Sequence, residues 1–145
     1  MVQDLDTQQI EILGKSILLT ELVRNGFEVS EPIRDKGYDL IVYSEPKFNA
    51  VPIQMKASTG KAFGIWQKYE KFEGMIYAFI WNILENPRIF LLTYEEAVNF
   101  IPDLNAKSWL SNKCYTWSSV PSHLEKRLSP FENRWDLIQS TLSNK

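Results

Sequence analysis

The first apolar positions of the chain recur at the spacing of one helical face. Gly26 follows the last of them and supplies a residue type that commonly ends a helix. This pattern predicts an amphipathic helix over residues 6–25. Its apolar positions are Ile10, Leu13, Ile17, Leu18, Leu22 and Val23.

The next thirty residues change from helical to strand-like patterning. Residues 27–32 are typical of a short strand, and residues 34–37 form a charged turn that ends in glycine. Strands are then expected over residues 38–43 and 50–56, on either side of a polar segment that contains Pro46. These two strands are predicted to form a hairpin beside the first helix.

Two further buried strands are expected at residues 75–81 and 88–92, after a connector over residues 58–72 that contains glycine, lysine and aromatic residues. Thr93 and Glu96 have the spacing of a capping box. They predict a helix that begins at Tyr94 and extends to about Phe100.

The tail carries two prolines at expected helix starts. One helix is predicted to begin at Pro121, and a second to begin at Pro130. Trp109, Trp117 and Trp135 are expected to anchor the tail to the core. Without a repeat or a linker, residues 1–145 are predicted to be one α/β domain, with a mixed central sheet, a long N-terminal helix and C-terminal helices.

Composition narrows the possible chemistry. Cys114 is the only cysteine and His123 the only histidine, which excludes cysteine zinc clusters and most histidine-based hydrolases, HNH nucleases among them. A net charge of −2 does not fit a broad nucleic-acid-binding surface, so any such function requires a local basic patch. Neither a membrane span nor a secretory signal is recognisable, and a cytoplasmic location is expected.

Three polar residues near the hairpin have the composition of a metal-dependent hydrolytic site. Asp39 lies on one strand, and Gln54 and Lys56 lie two residues apart on the next. Because side chains alternate along a strand, Gln54 and Lys56 point the same way, and the hairpin can bring Asp39 beside them. A carboxylate, an amide oxygen and a backbone carbonyl are suitable ligands for Mg²⁺.

At these residues, over positions 10–58, the chain resembles the PD-(D/E)XK nuclease superfamily, which includes Holliday junction resolvases, many restriction enzymes and small homing endonucleases. The resemblance implies a restriction-endonuclease-like core that hydrolyses DNA with Mg²⁺ or Mn²⁺. It makes Asp39 the metal-binding acid, Gln54 a substituted metal ligand and Lys56 the catalytic lysine. It also implies a homo-oligomer, a dimer or higher, because nucleases that cut both strands often pair two sites.

The first helix departs from the family pattern. The position at which the family commonly has an acid is occupied by Lys15, and Glu11 lies one turn earlier on the same face. Glu11 is the better substitute for that acid. Lys15 favours a different hypothesis, that the chain is a catalytically inactive nuclease fold that serves as a DNA-binding or protein-interaction module. A third hypothesis is that it is a scaffold that does not bind nucleic acid.

The connector interleaves lysines with aromatic residues, a composition suited to a nucleic-acid groove in which rings stack on bases and lysines meet phosphates. The same spacing is also compatible with core packing of the rings. The residues concerned are Lys61, Phe63, Trp66, Lys68, Tyr69 and Lys71. The DNA-contacting residues predicted from the whole sequence are Lys15, Lys61, Trp66 and Lys68.

Overall fold

A computed structural model describes residues 4–144, which form an α/β structure with a mixed central sheet, an N-terminal helix and C-terminal helices. The strands are β1 (Glu28–Ser30), β2 (Leu40–Ser44), β3 (Asn49–Ala57), β4 (Phe63–Trp66), β5 (Ile76–Trp81), β6 (Arg88–Thr93) and β7 (Cys114–Trp117). The helices are α1 (Thr7–Arg24), α2 (Tyr94–Val98), α3 (Lys107–Leu110), α4 (Ser122–Leu128) and α5 (Trp135–Ser143). None of the helices in residues 4–144 combines the length and apolar character that crossing a membrane requires.

The central sheet has the strand order β1-β2-β3-β5-β6. β3 and β5 run parallel, and the other neighbouring pairs are antiparallel. The remaining strands, β4 and β7, form a separate antiparallel ribbon. The polypeptide between β3 and β5 therefore includes one strand of that ribbon.

Each face of the sheet is covered by a separate apolar layer. In β3, Val51, Ile53 and Met55 are buried in the layer formed with α1 and α5. In β5, the alternate residues Tyr77 and Phe79 are buried in the opposite layer with residues of β4, α2 and α4. The strand period of two divides the side chains between the two layers.

The first helix and α2 confirm the elements predicted from their sequence signals. In α1 the backbone N–H of Gln9 donates to Asp6 at 2.8 Å, and the N–H of Asp6 donates to the Gln9 side chain at 2.9 Å. Thr93 and Glu96 form the same reciprocal capping box at α2. These contacts satisfy backbone donors that a helix leaves free at its first turn.

The structure differs from the sequence prediction at two places after β3. The connector over residues 58–72 contains β4 and a 3₁₀ turn at Gln67–Tyr69, and β4 pairs with β7, a strand that the sequence did not predict. The last helix begins at Trp135, whereas Pro130 lies in a 3₁₀ turn at Ser129–Phe131. β4 and β7 were missed because each has only four residues. Their pairing joins positions about fifty residues apart, so no local sequence pattern indicates it.

Candidate active site

The candidate site lies beside the first residue of β2, where β3 continues beyond their shared ladder. The last pair of their antiparallel ladder joins Leu40 to Ile53, whereas β3 remains paired with β5 as far as Ala57. The N–H of Asp39 donates to the carbonyl of Ile53 at 2.8 Å. Beyond that bond, the β2 side of β3 opens into a cleft.

Beyond the end of the β2–β3 ladder, side chains form the hydrogen bonds to β3 that a neighbouring strand would otherwise form. The Asp39 carboxylate accepts a hydrogen bond from the N–H of Met55 through Oδ2 at 2.8 Å, and the side-chain N–H of Gln54 donates to the carbonyl of Met55 at 3.3 Å. Backbone polar groups in a buried strand need such partners. Asp39 and Gln54 are thereby both held by the backbone of Met55. Gln54 is only 7% exposed.

Lys56 lies two residues beyond Gln54 and on the same face of β3. Its Nζ is 4.5 Å from the ring centroid of Trp66 and 5.8 Å from that of Tyr69. Within residues 4–144 this half-buried ammonium forms no ion pair. The aromatic faces stabilise the positive charge and leave its hydrogen-bond donors for an anion.

α1 reaches the cleft because Gly14 packs directly against Ala57 of β3, with Met55 Sδ also close to the helix. This contact places Glu11 and Lys15, which are one turn apart, along the rim. Lys15 Nζ is 3.5 Å from a carboxylate oxygen of Glu31. Lys15 therefore forms an ion pair with an acid that the sequence did not assign to the site.

Two adjoining cavities, of about 760 Å³ and about 280 Å³, form this opening and are together called the central cleft. Both are lined by Glu11, Asp39, Gln54 and Lys56, the four residues that the sequence predicted to act together. Lys15 lines the larger cavity. The structure thus brings the four residues to one place, while their catalytic roles stay predictions.

The smaller cavity has a basic side that the sequence predicted only in part. Lys36, Lys68 and Lys71 line it and are exposed. None of the three forms an ion pair with another part of residues 4–144. Lys36 was missed because its turn was interpreted only as a charged connection. Its position three residues before Asp39 was the available signal.

Lys61 and Trp66 lie outside the lining of the central cleft. The ammonium of Lys61 is 2.7 Å from a carboxylate oxygen of Glu125, and Arg88 pairs with the other oxygen of that carboxylate at 3.0 Å. Trp66 is half-buried beneath Lys56 and lines a separate cavity. Of the DNA contacts predicted in the connector, Lys68 lines the central cleft, whereas Lys61 and Trp66 do not, and all three stay predictions.

The oxygen atoms of the cleft fit a divalent cation that retains most of its water. Within residues 4–144 there is no cluster of three or more aspartate, glutamate, histidine or cysteine residues suited to a metal. The donors among the predicted residues are the carboxylates of Asp39 and Glu11 and the amide oxygen of Gln54, with the carbonyl of Met55 beside them. The carboxylates of Glu31 and Asp35 also line the two cavities. Mg²⁺ typically takes one or two carboxylates and several waters, so this donor set suits it.

The comparisons with known proteins give a likeness in fold. The chain superimposes on the structure of a bacterial homing endonuclease, I-Ssp6803I, with a TM-score of 0.63 and 12% sequence identity, over 96% of this chain and 95% of that one. No protein-family model and no curated protein sequence matches the chain. At this low identity the likeness shows a nuclease-like fold.

Proposed function

We propose that this protein is a metal-dependent DNA endonuclease of the PD-(D/E)XK type. One observation carries the proposal. Four residues line one cleft at the place where the β2–β3 ladder ends: Glu11, Asp39, Gln54 and Lys56. The similarity in fold to a homing endonuclease supports DNA as the substrate. The reaction is hydrolysis of a phosphodiester bond.

Asp39 and Gln54 are the proposed metal ligands, with the Met55 carbonyl and Glu11 as further donors. Asp39 Oδ2 is held by the N–H of Met55, which leaves Oδ1 for the cation. A bound Mg²⁺ or Mn²⁺ supplies Lewis-acid stabilisation of the charge on the reacting phosphate. The hydrogen bonds to Met55 hold the ligands in position before the cation arrives, which lowers the reorganisation that binding requires.

Lys56 is the proposed catalytic lysine. Its ammonium lies beside the ligands and against the Trp66 ring, where it can donate to an oxygen of the scissile phosphate or orient the attacking water. A half-buried ammonium interacts more strongly with a developing negative charge than one in bulk water.

Lys36, Lys68 and Lys71 are the proposed contacts to the DNA backbone. They supply a local positive surface in a chain whose net charge is −2. Contacts of this kind provide most of the affinity for DNA without reading its sequence. Cleavage of both strands would pair two such sites in a homo-oligomer, and sedimentation measurements with and without duplex DNA test that assembly.

Incubation of the protein with linear duplex, branched and single-stranded DNA, with Mg²⁺, with Mn²⁺ or with EDTA, tests the proposed activity. We expect endonucleolytic products that require the metal and that disappear with Asp39→Asn. The asparagine removes the negative charge but keeps an oxygen that can accept from the Met55 N–H. The variant should therefore stay folded, and a loss of cleavage would reflect the lost charge. Metal-independent products, or products unchanged in Asp39→Asn, contradict the proposal.

The second candidate function is an inactive nuclease fold that binds DNA. Lys15 on the cleft rim and the small number of acids near Asp39 favour it, since the ammonium repels a cation. Calorimetric titration with Mn²⁺ separates the two candidates. Binding that is lost in Asp39→Asn supports the endonuclease, whereas DNA binding without Mn²⁺ binding or cleavage supports the inactive module.

A further inference from the structure

A third cavity, of about 280 Å³, opens beside Lys56, and no acid lines it. Four of the residues that line it are aromatic, and we call it the aromatic pocket. Six of its lining residues are Lys56, Phe63, Gly64, Trp66, Phe79 and Trp117. Lys56 is thus shared by the aromatic pocket and the central cleft.

The tertiary structure builds this pocket between the β4–β7 ribbon and the central sheet. Phe63 and Phe79 are 2% and 1% exposed and form its floor, with ring centroids 4.4 Å apart. Trp66 and Trp117 are half-buried walls. An apolar floor between two half-buried tryptophans offers aromatic surface to a planar ligand.

Gly64 allows the Trp66 ring and the Thr116 methyl group to pack close to the backbone of β4. A Cβ atom at this position would lie 2.7 Å from the Trp66 ring and 2.9 Å from the Thr116 methyl group. The polar side chains around the pocket are Lys56 at one end and the hydroxyl-bearing Ser58, Thr116 and Ser118. Thr116 and Ser118 are exposed and lie at the mouth.

We propose that the aromatic pocket binds an unstacked nucleobase of the DNA strand whose phosphate lies at Lys56. This inference rests on the proposed function, because it uses Lys56 as the phosphate contact. The Trp66 centroid is 4.5 Å from Lys56 Nζ, so a phosphate on the ammonium brings the attached nucleotide next to the pocket. Rings with few polar neighbours stack on any base, which gives binding without sequence preference.

Two oligomers with equal backbone charge provide the test, a twelve-nucleotide oligothymidylate and a twelve-unit abasic deoxyribose phosphate chain. Affinities are measured by fluorescence anisotropy in EDTA, so that neither is cut. We expect the wild type to bind oligothymidylate about 5- to 150-fold more tightly, the range that stacking of one base on an aromatic side chain provides.

Two pocket variants locate the base. Ala62→Leu fills part of the pocket, and Trp117→Ala removes one wall, and neither changes Lys56 or Trp66. We expect both variants to reduce the affinity ratio towards 1 while affinity for the abasic chain stays constant. Trp109→Ala is the matched control, because it removes a half-buried tryptophan that does not line the pocket. Circular dichroism checks that each variant is folded.

The outcomes separate this inference from the proposed function. A wild-type ratio near 1, or a ratio unchanged in both folded pocket variants, overturns base binding in the pocket even if metal-dependent cleavage is observed. If the protein neither binds these oligomers nor cleaves any DNA, the proposed function fails and the inference fails with it.

Discussion

Gly14 of α1 lies against Ala57 of β3 so closely that a Cβ atom on the glycine would overlap the Cβ of the alanine. This contact sets the distance between the helix and the strand that carries Gln54 and Lys56. It also sets how far Glu11 and Lys15 extend over the central cleft. The rim of the proposed site therefore depends on a position with no side chain.

Gly14→Ala is expected to destabilise the protein, although alanine is the better helix former by about 1 kcal/mol. Overpacking of a tight contact costs about 1–3 kcal/mol, and Ala57 has no flexible side chain that could move aside. Urea denaturation measures the change in the free energy of unfolding. A shift of α1 would also alter the cleft, so metal-dependent cleavage should fall.

Ala57→Gly in the same chain should restore much of that stability, because it removes the opposing Cβ atom. Gly60→Ala is a control substitution, since no heavy atom lies within 4 Å of a Cβ at that position. Purely additive effects of Gly14→Ala and Ala57→Gly would show that the contact does not determine helix placement.

Lys56→Ala should reduce cleavage by a factor of about 10² or more while the protein stays folded, because loss of a preorganised charge in a site has effects of that size. Single-turnover assays with Mn²⁺ measure the rate, and thermal unfolding measures stability. Lys126→Ala removes an exposed lysine of α4 and should leave the rate unchanged. A large loss of stability in Lys56→Ala would make Lys56 structural.

Glu11→Gln is expected to abolish metal-dependent cleavage if Glu11 replaces the missing helix acid. Lys15→Ala should then change DNA affinity more than turnover, because Lys15 lies on the rim and not among the ligands. If Lys15 instead keeps the domain inactive, the wild type should not cut, and Lys15→Glu should strengthen Mn²⁺ binding in calorimetry. Full cleavage by Glu11→Gln removes Glu11 from the site.

Lys68→Ala should weaken DNA binding to a similar extent for all sequences and reduce the slope of log affinity against log salt by about 1. The reason is that Lys68 lines the central cleft, is exposed and has no acidic partner among residues 4–144. Anisotropy titrations at several salt concentrations provide the slope. Lys107→Ala, on α3, should leave it unchanged, and equal slopes in Lys68→Ala and the wild type would exclude a phosphate contact.

Glu125 should make stability depend on pH. Hydrogen bonds from Lys61 and then Arg88 hold the pKa of its carboxyl below the usual value of 4.5. A lowered pKa in the folded state contributes stability that is fully present above the unfolded pKa and is lost as pH falls through the folded pKa. Glu125→Gln should therefore be less stable than the wild type at neutral pH, with a difference that shrinks below about pH 4.5. A difference that is constant from pH 7 to pH 3 would contradict this coupling.

The sequence alone determined the elements whose signals are local. Helical spacing before Gly26 predicted α1, and the spacing of Thr93 and Glu96 predicted the start of α2. The strand period of two placed Gln54 and Lys56 on one face of β3 before any contact was known. Asp39 could be joined to them because a hairpin brings neighbouring strands together over a short stretch of chain.

The tertiary structure decided what depends on residues far apart in the chain. Only the folded chain shows that β4 pairs with β7, that Glu125 binds Lys61, and that Trp66 packs under Lys56. A local pattern specifies which face of an element is apolar, but it does not specify which distant element covers that face. The ribbon, the aromatic pocket and the approach of α1 to β3 arise from such long-range packing, because shape complementarity is realised only when the elements meet.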